Sequence, residues 1–259
     1  KGETGLTADN IGRFFLRDTS LELMLSKQSD QAKGLPQPPV GPEPKDDKKR
    51  IPLIGPRDIS VGEISLREAI ENRRSIREYS AEYLSFQDLS WLLWSTQGIQ
   101  KITGEGNSRK VYRTVPSAGG RHPLDMHMAI SRVEGLEPGL YTYLPVSHEL
   151  QAENTCMDFA EKIAVLCRNQ MFIEKAAASF FWIGDEYRFM WRHMERGYRF
   201  VFEDGGHSCQ NLYLACENIG CGCCAIGYFD EKGLSSLLGI DGEKLFPVYA
   251  ACVGKKQKK

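Results

Sequence analysis

The chain has 259 residues, with 33 Lys and Arg against 34 Asp and Glu, and a formal charge of −1. That balance excludes a whole-molecule field for nucleic acid or an anionic membrane, so any anion binding must come from local clusters. With 41% hydrophobic residues the length suits a packed core, and no apolar run reaches the roughly 18 residues of a membrane span.

Residues 28–58 carry more than half of the twelve prolines and a charged Lys45–Arg50 run, so they read as extended chain without a core of its own. Residues 1–60 are therefore expected to form a Pro-rich N-terminal arm, and 61–259 one domain. Ser65 with Glu68, and Ser85 with Asp88, have capping-box spacing. They predict a short helix with Leu66, Ala69 and Ile70 on one face. They predict a second with an inner stripe of Phe86, Leu89, Leu92, Leu93 and Thr96, closed by Gly98. Residues 124–131 alternate as a half-buried strand, with Leu124, Met126, Met128 and Ile130 facing inward and Asp125 and His127 outward. A turn at Gly135–Gly139 leads into a strand over Leu140–Leu144. Helices are expected at 157–169, 186–197 and 203–219, and strands at 177–183, 223–229 and 246–253. Together these predict an α+β domain built on a mixed sheet flanked by helices.

Four constellations could carry chemistry. Arg73, Arg74, Ser75 and Arg77 follow the first helix; they can hold a phosphate, or they can be cations suited to a helix C-terminus. Val115–Pro123 sets small residues and two glycines between prolines, which suits the edge of a flat ligand or a tight turn. Gly220–Asp230 contains Cys221 and Cys224 in C-x-x-C spacing. The neighbouring thiols, Cys209, Cys216 and Cys223, supply no second pair for zinc, and the motif follows a helix where a thioredoxin-like pair would precede one. Small buried residues in a strand entry remain the simplest reading of these sulfurs, and no metal site is assigned. The C-terminal Lys255, Lys256, Lys258 and Lys259 form a solvated tail or reach a bound phosphate. Eight cysteines in this length do not make a disulfide scaffold, which suits a reducing, cytoplasmic setting. The N-terminus lacks a signal-peptide layout, and the start at Lys1 leaves a removed leader open.

In order and spacing the chain resembles the FMN-dependent nitroreductase family, and within it the SagB-type dehydrogenase branch related to peptide azoline oxidases. The resemblance rests on Arg73–Arg77, Leu89–Trp94 with Gln97–Ile99, Arg113–Gly119 with His122–Leu124, Gly139–Tyr141, Gly205–His207 with Gln210–Leu212, and Gly220–Gly222 with Ile226–Gly227. Gly34–Pro39 of the arm is also similar to that branch. The resemblance implies an intertwined α+β homodimer with FMN at the interface. Arg73, Arg74, Ser75 and Arg77 would hold the phosphate and ribityl chain. Pro116, Ser117, Ala118 and Gly120 of the other subunit would border the ring, Asn169 or Gln170 its pyrimidine edge, and Ala225, Ile226, Gly227 and Tyr228 its N5 and O4 edge. Lys255 or Lys256 would supplement the phosphate site.

The implied reaction is ping-pong hydride transfer from NADH or NADPH through the flavin to a small acceptor such as a nitroaromatic or quinone, with no catalytic side chain assigned. Where azoline oxidases tend to carry a Lys-Tyr pair, this chain has Arg192-His193, read here as a salt-bridged helix face. Oxidation of azoline rings in a modified peptide and flavin binding without turnover are the alternatives.

Overall fold

The computed structural model describes residues 10–257; the first nine residues of the arm, and Lys258 and Lys259 of the basic tail, lie outside them. In chain order the helices are α1 Ile11–Asp18, α2 Leu21–Leu25, α3 Leu66–Asn72, α4 Phe86–Gln97, α5 Ala160–Leu166, α6 Glu186–His193, α7 Gly197–Asn218 and α8 Glu231–Leu238. The strands are β1 Arg50–Pro52, β2 Ile99–Thr103, β3 Lys110–Arg113, β4 Leu124–Ile130, β5 Gly139–Leu144, β6 Glu149–Thr155, β7 Ala178–Asp185, β8 Cys221–Ile226 and β9 Leu245–Lys255.

Seven strands form one sheet in the order β1-β6-β5-β4-β7-β9-β8, while β2 and β3 make a separate hairpin. Every pairing between these strands is antiparallel; the parallel component is two isolated bridges, Ser75 to Cys223 on the outer side of β8 and Leu84 to Val133. The period of two along the strands divides the core. Met126 and Met128 of β4, Phe180 and Trp182 of β7, and Cys221 and Cys223 of β8 pack with α4 and α7. On the other face Ala129, Phe181, Ile183, Cys224 and Cys252 pack with α5 and α8. Each fully buried leucine of α4 (Leu89, Leu92, Leu93) contributes roughly 1.5–3 kcal/mol by leaving water.

Both capping boxes form, Ser65 with Glu68 and Ser85 with Asp88. Two expectations change. Asp125 does not face solvent and His127 is only partly exposed: Asp125 is buried in an ion pair with Arg188 of α6 at 2.6 Å, because α6 and the arm cover that side of β4. The arm itself carries α1 and α2 and adds β1 to the sheet edge, so it is not extended throughout. It is tied down along its length: Gln31 N donates to Trp191 O, Trp191 Nε1 to Leu35 O, and Arg113 Nη2 to Val40 O. Helix α7 starts six residues earlier than expected, after Met194, whose φ of 52° interrupts the run from α6.

Candidate functional site

The segment after α3 runs along the open edge of β8. Ile76 N donates to Cys223 O at 2.9 Å, and Tyr79 Oη donates to Ile76 O at 2.6 Å. Gly222 and Gly254 are register partners on β8 and β9, and together they make the trough that seats this segment. A Cβ on Gly222 would stand 2.7 Å from Ile76 Cγ2, and one on Gly254 2.9 Å from Tyr79 Cδ1. Only side chains without a Cβ allow so close an approach.

The seat places the basic residues. The Arg73 guanidinium lies 5.3 Å above the Tyr213 ring, and that of Arg77 5.8 Å above Phe172. No carboxylate among the described residues forms an ion pair with either. Arg74 instead donates to the carbonyls of Glu71 and Arg73, the helix-end role, at 3.0 and 2.8 Å. The Tyr213 hydroxyl joins two expected groups: it accepts from Ala225 N at 2.7 Å and shares a 3.0 Å hydrogen bond with Ser75 Oγ. Tyr213 was not singled out in the sequence, where it reads as one more inward residue of a long helix.

Gln170 Nε2 donates to Cys167 O and, at 3.4 Å, to Tyr228 O, so the 169–170 turn meets the end of β8. Asn169, exposed with φ of 59°, sits in that turn, and Gly227 and Tyr228 are exposed beside it, while Ile226 is buried. Arg73, Ser75, Arg77, Gln170, Ala225 and Tyr228 thus gather at one end of β8. Lys255 and Lys256 leave the neighbouring strand with their ammonium groups engaged, Lys255 with Asp88 at 2.8 Å and Lys256 with Glu217 at 2.6 Å.

Cys221 and Cys224 point to opposite faces of β8, which prevents them from closing a disulfide or sharing a metal. Burial pushes the Cys224 thiol up, opposed by the Arg77 charge. Burial likewise pushes Cys252 up to about 12.

The Pro116–Gly120 turn is held elsewhere on α7. Ala118 N donates to Asp204 Oδ1 at 3.4 Å, His122 N to Ser117 Oγ at 2.8 Å, and His193 Nε2 to Ala118 O at 3.1 Å. Asp204 and Tyr213 are separated by about 14 Å along the helix axis at 1.5 Å per residue, so one chain does not bring this turn to the β8 cluster. Gly119 has φ of 58°, and a Cβ there would stand 2.7 Å from Arg192 Nε. Arg192 and His193 therefore brace the turn and are not a salt-bridged helix face. Burial raises the Asp204 carboxyl to about 6, against the hydrogen bonds from Ser117 and Ala118. Burial, then the charge of Arg113, lowers His122 to about 3, so its ring is neutral at pH 7.

Pro116, Ser117 and Gly120 line a cavity of about 640 Å³ between the arm, the β2–β3 hairpin and α6. Its other walls include Arg113 and Arg121, two arginines buried to more than nine-tenths, whose burial a sequence does not display.

Residues 70–255 match the nitroreductase family. The curated protein of Methanocaldococcus jannaschii named putative nitroreductase MJ1384 is 30% identical over 196 residues, which is 76% of this chain and 93% of that protein. A solved structure from Ralstonia eutropha, described as a putative nitroreductase, overlays with a TM-score of 0.66 at 23% identity over 85% of this chain and 95% of that one. One from Anabaena variabilis, described likewise, overlays at 0.62 and 27% identity over 74% of this chain, which spans 38% of that longer one. A nitroreductase-described chain from Desulfovibrio desulfuricans, solved in complex with FMN, overlays at 0.51 and 16% identity over 76% of this chain and 92% of its own. No helix among the described residues is long and apolar enough to cross a membrane. By the extent of the family match and the similarity to the Methanocaldococcus protein, the chain belongs to the nitroreductase family and is an oxidoreductase.

Proposed function

We propose that the chain is an FMN-dependent oxidoreductase that works as a homodimer, taking hydride from NADH or NADPH and passing electrons to a small nitroaromatic or quinone-like acceptor. The observation that carries this reading is the cluster at the end of β8, where Arg73 and Arg77 have no carboxylate partner among the described residues beside the Ser75–Tyr213–Ala225 chain. Two guanidiniums and a hydroxyl suit a phosphate dianion through charge-assisted hydrogen bonds. The open backbone at Gly227, where a Cβ would meet only Tyr249 at 3.7 Å, suits a flat ring laid close to the chain.

FMN, when bound, supplies the hydride and electron chemistry. Arg73 and Arg77 hold its phosphate. With its oxygen accepting from Ala225 N, the Tyr213 hydroxyl can donate its one hydrogen bond to Ser75 Oγ, which leaves the serine O–H as a donor to the ligand. Gln170, Gly227 and Tyr228 offer amide groups at the ring edge, and in the dimer Pro116–Gly120 of the second subunit covers the ring and limits water. Lys255 and Lys256 lie on the neighbouring strand with their charges compensated by Asp88 and Glu217, so either would add to phosphate binding only by leaving its pair.

Membership of the SagB-type branch, with azoline oxidation in a modified peptide, is the second reading; Arg192 and His193 at the Ala118–Gly119 turn are the residues that distinguish this chain there. The test of the cofactor site is Arg73→Ala combined with Arg77→Ala. Wild-type protein should purify yellow or take up FMN stoichiometrically, and the double variant should be colourless with FMN affinity reduced at least a hundredfold. A variant that keeps its flavin refutes the phosphate assignment.

A further inference from the structure

The cavity of about 640 Å³ beside the Pro116–Gly120 turn falls within the size range of small-ligand pockets. Among the described residues five cationic side chains line it, Arg109, Lys110, Arg113, Arg121 and Arg192, and no carboxylate does. In a chain of formal charge −1 that is a strong local imbalance. Arg113 and Arg121 are only 6% and 7% exposed, and none of the five forms an ion pair with a carboxylate among the described residues. Arg113 donates to the Gln97 side-chain oxygen at 2.7 Å and to the Val40 carbonyl at 2.6 Å, while its Nε has no partner. Arg121 lies 4.9 Å above the Trp191 ring, and its Nε is also without one. Burial and then the charges of Arg192 and Arg188 pull the Arg121 pKa down to about 10. Buried guanidiniums that lack an anion are costly, and one anion in their midst offsets desolvation and mutual repulsion together.

We propose that this cavity receives the anionic group, carboxylate or phosphate, of an organic substrate, with Arg121 and Arg192 as its partners at the turn. The proposal rests on the flavoenzyme reading for what is then reacted; the binding itself needs only the cavity. Two reactants could bring the anion, an acidic acceptor or the phosphates of the nicotinamide.

The test has a binding arm and a kinetic arm. Calorimetric titration of the purified protein should show benzoate binding at least tenfold more tightly than benzamide, with the preference lost in R121Q and in R192Q. Arg192 is exposed, so R192Q carries the test should R121Q not fold. In turnover, a tenfold kcat/KM preference for 4-nitrobenzoate over 4-nitrobenzamide that R192Q abolishes assigns the cavity to the acceptor. A preference for NADPH over NADH that R192Q abolishes assigns it to the reductant. Protein that takes up no FMN yet prefers benzoate sinks the flavoenzyme reading and keeps this one. Equal binding of benzoate and benzamide, with neither kinetic preference altered by R192Q, overturns it.

Discussion

Burial drives two ionisable side chains at the Pro116–Gly120 turn toward their neutral forms from opposite directions: Asp204 is raised to about 6 and His122 lowered to about 3. For Asp204 the sign is fixed by linkage. Its protonated form is favoured in the fold, so the stability it contributes is fully present below about pH 4 and is lost as pH rises through about 6. Asp204→Asn, which imitates the protonated carboxyl and can still accept from Ala118 N, should match wild type near pH 4. It should gain on wild type by up to about 3 kcal/mol at pH 7, read by denaturant unfolding at both pH values. Parallel pH profiles for the two proteins would refute the burial of an ionising Asp204. At this scale the sequence showed the chemistry of Arg73, Ser75 and Arg77 but not its supports. Tyr213 is one aromatic residue among ten tyrosines, and nothing in the string separates Arg113 and Arg121 from solvated arginines. Arg74 illustrates the limit: beside identical neighbours, it alone turns back to cap α3.

Among the elements, legibility followed apolar periodicity. The strands at β4, β5, β7, β8 and β9 and the capped helices α3 and α4 were readable because their inward residues recur at two or at three and four positions. The polar strands β2, β3 and β6 were not, since IQKIT, KVYR and ELQAENT carry little alternation and are held by pairing to neighbours. The break between α6 and α7 depends on a positive φ at Met194, which its residue type does not announce. The Gly222–Gly254 trough yields a test at this scale. Gly222→Ala must displace Ile76 and so loosen the segment carrying Arg73 and Arg77. Overpacking of this kind costs about 1–3 kcal/mol. Thermal unfolding should therefore fall by several degrees, with FMN affinity reduced in the same variant; unchanged affinity would detach the basic segment from the sheet edge functionally.

For the whole molecule, the α+β class and the family were legible, whereas assembly was not. Leu16 of α1 and Leu21 and Leu25 of α2 are exposed by more than half, an apolar surface that a homodimer can bury. Sedimentation equilibrium should give about twice the chain mass of 29.2 kDa, and removal of residues 1–26 should weaken the self-association; a monomer at micromolar concentration would contradict the dimeric site. The proposed placement of the flavin between two copies agrees with the distance that α7 sets between the Ala118 turn and the Tyr213 cluster. The most direct measurement is anaerobic titration of the FMN-loaded protein with NADH and with NADPH, followed by its visible flavin absorbance. Bleaching by one of the two at a stoichiometry of one per flavin, with colour restored by a nitroaromatic or quinone, is the expected result. Absorbance that neither nicotinamide changes would contradict nicotinamide-driven turnover and leave substrate-reduced peptide oxidation or simple flavin binding.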